Sequence, residues 1–272
     1  MPELPEVEIL GAEMRRHVVG RTLAAVAAVA DQQLEVGHER LPELVGLPLL
    51  DVRRFGKRLA LDFGPDLTLL THLMLVGQWR LFPLTEDIPP DPKLSLHFRD
   101  DSCLYLHGSA LRYQRLLDRA DVERQPEIAA LGPDALSPAF TVADFGRALA
   151  RRRAGIKAML LEQSLIGGIG NTYADESLFV AGIHPRRTAS SLSPEAAARL
   201  HGAVVQVMRE AIDYGGASEM AFVHLDGSKG HYQDVFRVKE REGQTCSICG
   251  GTIAKEKVAG RPTYYCPEHQ RL

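Results

Sequence analysis

With 272 residues, a formal charge of −3 and 45% apolar residues, the chain has material for two packed domains and lacks the overall positive charge of a general nucleic-acid binder. Its apolar stretches are amphipathic or broken by charge and proline well short of the roughly eighteen residues of a membrane span, and no signal peptide is visible, so a soluble cytoplasmic protein is expected. Four cysteines, three of them in one C-terminal segment, exclude a disulfide scaffold and suit a reducing compartment.

The chain opens Met1-Pro2-Glu3-Leu4-Pro5-Glu6-Val7-Glu8. Removal of Met1 leaves a proline secondary amine as the first group, and a secondary amine attacking an aldehyde-level carbon gives an iminium ion directly. An α-amino group titrates nearer neutrality than lysine, and the positive end of a helix dipole favours its neutral form. Pro2, Glu3, Pro5 and Glu6 are also simply good first-turn residues, so this pattern alone leaves both readings open. Apolar spacing over residues 7–18 predicts one amphipathic helix, stopped at Gly20.

From residue 22 to about 113, short Val-, Leu- and Phe-rich runs are punctuated by Gly46-Leu47-Pro48, Gly64-Pro65, Pro89-Pro90 and Gly108, as in an antiparallel sandwich or barrel. His72, Trp79, His97 and Cys103 sit in these runs and read as core or cross-strand residues. A proline- and glycine-marked linker follows near 131–138, and residues 141–214 read as mainly helical, with Ser193-Pro194-Glu195 a cap followed by a first-turn proline. Within that part, residues 163–176 hold the glycine-rich turn Gly167-Gly168-Ile169-Gly170-Asn171. It suits either backbone approach to a phosphate at a helix start or a tightly packed helix corner.

At the far end, Cys246-x2-Cys249, sixteen residues, then Cys266-x2-His269 has the spacing of a four-ligand zinc site. Four ligands leave no open position, so the expected Zn2+ is structural, organising a segment too poor in apolar residues to build its own core. Basic residues bunch at 53–58, 151–153, 186–187 and 255–261, where they suit either a local anion surface or a solvated face.

Together, the Pro2 to Glu8 opening, the segment from Lys157 through Gly170-Asn171 to Ala181-Gly182-Ile183-His184-Pro185, and the finger resemble the formamidopyrimidine-DNA glycosylase and endonuclease VIII family of base-excision repair enzymes, over nearly the whole chain. The resemblance implies an α+β protein. Its N-terminal helix would lie on an antiparallel β-sandwich (1–131), followed by a helical helix-two-turn-helix domain (132–240) and a β-hairpin zinc finger (241–272). It implies a monomer of bacterial type, nucleoid-associated when acting, that bends damaged double-stranded DNA, flips a nucleotide, removes an oxidised or ring-opened base and cuts the strand.

Carried over by position, the resemblance makes Pro2 the nucleophile at C1′ and Glu3 the general acid at the sugar oxygen. Glu6 matches a second acidic position, ordering a water or the helix start, and Lys57 a hairpin lysine near the lesion. Lys157 and Asn171 match a phosphate-gripping pair, and Arg261 an arginine that the finger's hairpin holds against the backbone. Three departures bear on substrate choice and metal. The fourth finger ligand is His269 where the family has cysteine. The loop that carries an intercalating methionine in oxidised-purine enzymes reads Met74-Leu75-Val76-Gly77, making Leu75 either the wedge or a core residue. The family's Asp-Pro-Arg-Arg-Phe-Gly segment is missing, with Leu111-Arg112-Tyr113 its nearest substitute and Arg112 a candidate DNA contact. Residues 215–232, in contrast, resemble the base-capping loop of the purine-acting branch. Alternatives of other classes are an abasic-site lyase or damage-binding protein with little glycosylase activity, and, less in keeping with a hairpin knuckle, a zinc-finger regulator reading sequence.

Overall fold

The computed structural model describes residues 1–29, 32–83, 92–218 and 221–272; the turn expected at Pro89-Pro90 lies outside them. The chain forms two compact units, one of Met1–Ala129 with Tyr214–His231, the other of Ala130–Asp213 with Tyr232–Leu272.

In the first unit, helix α1 (Leu4–His17) starts at the N-cap Glu3 and turns Leu4, Val7, Leu10 and Met14 inward, the 3.6-residue period of a buried face. It ends at Val18, before Gly20 at φ 92°. Among the described residues, eight antiparallel strands follow: β1 (Leu23–Ala28), β2 (Leu49–Phe55), β3 (Arg58–Phe63), β4 (Leu67–His72), β5 (Gln78–Pro83), β6 (Leu94–Phe98), β7 (Ser102–His107) and β8 (Gln114–Asp118). They form two four-stranded sheets, ordered β1-β6-β7-β5 and β2-β3-β4-β8, so the expected antiparallel sheet architecture is present.

Gly11 lets α1 approach β3, since a Cβ there would stand 3.2 Å from Leu59 Cδ2. On the opposite face of the same strand, Ala60 packs with Leu70, Leu117, Val122 and Ile128. Coverage on both faces explains why β3 and β4 are buried along almost their whole length instead of alternately. The two sheets are joined by a buried polar contact: the Trp79 indole N–H of β5 donates to Thr71 Oγ1 of β4 at 3.1 Å. Cys103 is fully buried and faces His97 across the β6–β7 pair, as expected of core and cross-strand residues.

After a short α2 (Pro126–Ala129), the second unit contains α3 (Val142–Ala150), α4 (Ile156–Leu161), α5 (Asn171–Ala181), α6 (Pro194–Asp213) and the hairpin β9 (Ala254–Val258) with β10 (Arg261–Tyr265). Thr141 Oγ1 caps α3 by accepting from Asp144 N–H at 3.1 Å, and Ser193 Oγ does the same for Ala196 N–H of α6 at 3.2 Å, one residue before the first-turn Pro194. Gly182, at φ 66°, closes α5 in the left-handed conformation that lets the chain leave sharply. No described helix is long and apolar enough to cross a membrane.

Candidate functional site

The N-terminus is held by a reciprocal capping box. Glu3 N–H donates to Glu6 Oε2 at 2.8 Å, while the Glu3 carboxylate accepts the Glu6 backbone N–H. Both carboxylates are almost fully buried, at 5% and 2% exposure, so Glu3 keeps one orientation directly beside Pro2. Glu6 Oε1 accepts a second N–H, from Ala217, at 2.9 Å.

Lys57 sits with Gly56 in the two-residue turn between β2 and β3, where Phe55 pairs with Arg58 and Gly56 takes φ 57°. Behind this hairpin, Arg54 Nε reaches Glu8 of α1 at 2.6 Å, tying the cationic turn to the helix that carries Pro2. His72, read from the sequence as a cross-strand residue, does pair with Arg58 in register. It does more than that. Burial, reinforced by Arg58 and Lys57, lowers its pKa to about 4, and Nδ1 accepts Met74 N–H at 3.1 Å. A neutral imidazole with its proton on Nε2 therefore lies beside the lysine hairpin. The only signal in the sequence was its place at the end of an apolar run.

Met74 occupies φ 53°, an uncommon left-handed setting for a residue with a side chain, at the tip joining β4 to β5. The turn is close-packed against the loop after β7. A Cβ on Gly77 would lie 2.8 Å from Ser109 Cβ, and one on Gly108 would lie 2.4 Å from Val76 O. Leu75 and Val76 project outward, 57% and 50% exposed, so Leu75 is not a core residue. Leu111 is fully buried, whereas the neighbouring Arg112 is exposed, with its guanidinium over the Tyr113 ring.

In the second unit, the glycine-rich turn is stapled by Gln163, whose Oε1 accepts Gly168 N–H at 2.9 Å and whose Nε2 donates to Ile169 O at 2.7 Å. Lys157, expected in a phosphate grip, lies in the first turn of α4. It is fully buried, pairs with Asp175 at 2.7 Å and donates to Thr263 Oγ1 at 2.6 Å and Pro262 O at 3.2 Å. Asn171 Nδ2 donates to the same Pro262 O at 2.9 Å, and Asp175 Oδ2 accepts Tyr264 N–H at 3.1 Å. Desolvation pushes the Asp175 carboxyl up, against the pull of Lys157. These contacts hold the start of β10, where Arg261 is exposed beside the tight Ala259-Gly260 turn, at φ 49° and 75°. Glu176, also buried, accepts the N–H groups of Arg237, Val238 and Lys239 at 2.9 to 3.1 Å, anchoring the segment that leads to the finger.

Cys246, Cys249 and Cys266 bring their sulfurs within 4.8 Å of one another, a spacing that suits thiolates around one tetrahedral zinc. His269 does not join this group. Its Nε2 donates to Phe179 O at 2.9 Å and its ring packs on Phe179, which fixes the tautomer and leaves Nδ1 with the lone pair.

Three family patterns match the chain: the formamidopyrimidine-DNA glycosylase N-terminal domain over residues 1–114, the formamidopyrimidine-DNA glycosylase H2TH domain over 131–222, and the zinc finger found in FPG and IleRS over 243–268. A formamidopyrimidine-DNA glycosylase of Listeria innocua is 35% identical over all of both chains. The Lactococcus lactis Fpg in complex with DNA containing an abasic site superposes with a TM-score of 0.90 at 31% identity, over 99% of this chain and 100% of that one. A mutant of the Lactococcus lactis protein with DNA containing Fapy-dG gives 0.91 at 32% identity over the whole of both chains.

Two outcomes are expected from this geometry. Lys157→Met leaves the Asp175 carboxylate buried without its partner, so stability should fall by about 3–5 kcal/mol, measured by urea denaturation, with Asp175→Asn less damaging. Metal analysis of untagged protein should find one zinc per chain, and chelation should disorder the 246–269 segment, read as loss of amide protection there.

Proposed function

Because the chain belongs to the formamidopyrimidine-DNA glycosylase family, we propose that it excises oxidised or ring-opened bases from DNA through its N-terminal proline and then cleaves the strand as an abasic-site lyase. The observation that carries this reading is Pro2 set directly before the buried Glu3–Glu6 capping box, an amine beside a carboxyl of fixed orientation.

The neutral Pro2 nitrogen attacks C1′ and the bond from C1′ to the base breaks, the base leaving with the bonding pair and taking up a proton; Pro2 then gives up its proton as Glu3 protonates O4′, and the C1′–O4′ bond opens to leave an iminium between Pro2 and C1′. The resulting iminium acidifies the C2′ proton. Its removal expels the 3′ phosphate by elimination, and a second elimination releases the 5′ phosphate, with no metal at the reacting atoms. Lys57, with His72 beside it, supplies positive and hydrogen-bonding groups to the backbone near the lesion, and Arg261 does so from the finger hairpin. Asn171 and the Lys157–Asp175 pair act on DNA through the hairpin that they hold. The finger's zinc is structural, bound by Cys246, Cys249 and Cys266, with His269 Nδ1 as the fourth ligand we assign to it. When bound, it stiffens the hairpin bearing Arg261.

Exposed Leu75 is the wedge that fills the stack after flipping, since an apolar side chain covering bared base faces offsets the cost of unstacking. Buried Leu111 cannot read the orphaned base, which leaves that contact to Arg112. Residues 215–232 favour ring-opened or oxidised purines as the lesion, in keeping with their likeness to the purine-acting branch. The protein acts as a monomer on damaged duplex DNA, in the bacterial cytoplasm and at the nucleoid.

Borohydride should trap a covalent complex with abasic DNA, and Pro2→Gly should abolish both the trapped species and most strand cleavage while the far-ultraviolet spectrum is unchanged. Trapping at wild-type yield in that variant would remove Pro2 from the mechanism. Leu75→Ala should slow excision from duplex DNA at least about tenfold more than from single strands, where no stack needs support. Equal losses on the two substrates would contradict the wedge role.

A further inference from the structure

Two connections cross side by side between the sheets of the first unit: residues 73–77 lead from β4 to β5, and residues 108–113 lead from β7 to β8. Ser109 lies where they meet. Its hydroxyl donates to His72 O at 3.3 Å and accepts from Gln114 Nε2 at 3.3 Å, while the same Gln114 amide donates to His72 O at 3.1 Å. The three groups close a triangle that joins the end of β4, the second connection and the start of β8. Both side chains in it are buried, Gln114 completely. The turn bearing Leu75 rests on this triangle. Gly77 packs directly on the Ser109 Cβ, and its N–H closes the turn by donating to Leu73 O at 2.8 Å.

The sheets do not depend on the Gln114 amide. Backbone pairing holds β4 to β3 as far as His72 opposite Arg58, and to β8 as far as Thr71 opposite Gln114. Gln114 Oε1 has no hydrogen-bond partner among the described residues, so this buried amide carries a desolvation cost that an apolar side chain of similar size would avoid. What the amide adds is a fixed place for Ser109, the one member of the triangle outside the strands. His72 contributes only its carbonyl, and its pairing with β3 keeps the imidazole beside Lys57 in place without the amide. The turn above needs such a floor, because Met74 at φ 53° holds it in a conformation that a residue with a side chain does not favour. A leucine already ordered on its turn also loses less freedom on entering a base stack than one on a mobile turn. We infer that Ser109 and Gln114 are positioning residues for Leu75, bracing its turn from below so that the wedge is aimed before DNA arrives. The brace belongs to the connection in which the family's Asp-Pro-Arg-Arg-Phe-Gly segment is missing.

This inference rests on the wedge reading of Leu75 above, and its test separates the two. Single-turnover base release from a formamidopyrimidine lesion in duplex and in single-stranded DNA, and amide hydrogen exchange at Gly77, are measured for the wild type, Ser109→Ala, Gln114→Leu, Leu75→Ala and the combination of the last two. Ser109→Ala and Gln114→Leu should each speed exchange at Gly77 and slow release from duplex about tenfold, with release from single strands within about twofold of wild type. Once Leu75 is alanine there is no wedge to aim, so Gln114→Leu should add less than about twofold in that background. Duplex release at the wild-type rate, equal losses on the two substrates, or a full second loss beside Leu75→Ala would each overturn the brace. Equal losses on duplex and single strands in Leu75→Ala itself would overturn the wedge reading instead, and exchange at Gly77 would still report whether Ser109 and Gln114 hold the turn.

Discussion

The start of α1 is fixed by the buried Glu6 carboxylate. It accepts Glu3 N–H and Ala217 N–H together, and the capping box returns the Glu3 carboxylate to the Glu6 backbone. A buried carboxylate that accepts several N–H groups is stable only where all of them are present. The first turn of α1 is therefore rigid because its neighbours are satisfied. The rest of the first unit supports that turn: α1, with Leu4, Val7 and Leu10 buried, lies against β2 and β3, and Arg54 ties the lysine hairpin to Glu8.

The second unit solves a similar problem with charge in the interior. A finger with few apolar residues offers little to bury, and α5 compensates with Asp175 and Glu176, two adjacent buried carboxylates. One is matched by Lys157 and Tyr264 N–H, the other by three consecutive backbone N–H groups. Such an arrangement costs desolvation and depends on geometry. That dependence gives the hairpin carrying Arg261 one seat on the helices, which a nonspecific apolar contact would not.

Exposed parts of the site follow from backbone conformation. Met74 in a left-handed setting and the close approaches of Gly77 and Gly108 force Leu75 and Val76 outward. An apolar tip facing solvent has an energetic cost in the free protein that only a partner with apolar faces, such as an opened base stack, can offset.

Local chemistry was legible in the sequence because it depends on few residues. Pro2 followed by Glu3 and Glu6 marked a helix start, Ser193-Pro194 another, and the cysteine spacing marked the zinc site. Alternating and continuous apolar runs marked the sheets. Where the outcome depended on distant partners, only the tertiary structure decided. Lys157 is enclosed by Asp175, Thr263 and Pro262, and a lone lysine in a sequence does not reveal its burial. His72 looked like an ordinary strand residue until burial, reinforced by Arg58 and Lys57 nearby, held it neutral. Leu75 could be read as a core residue until the turn's backbone set it outward. The return of residues 214–218 and 221–231 to α1 joins groups 211 positions apart, a contact that no local periodicity encodes.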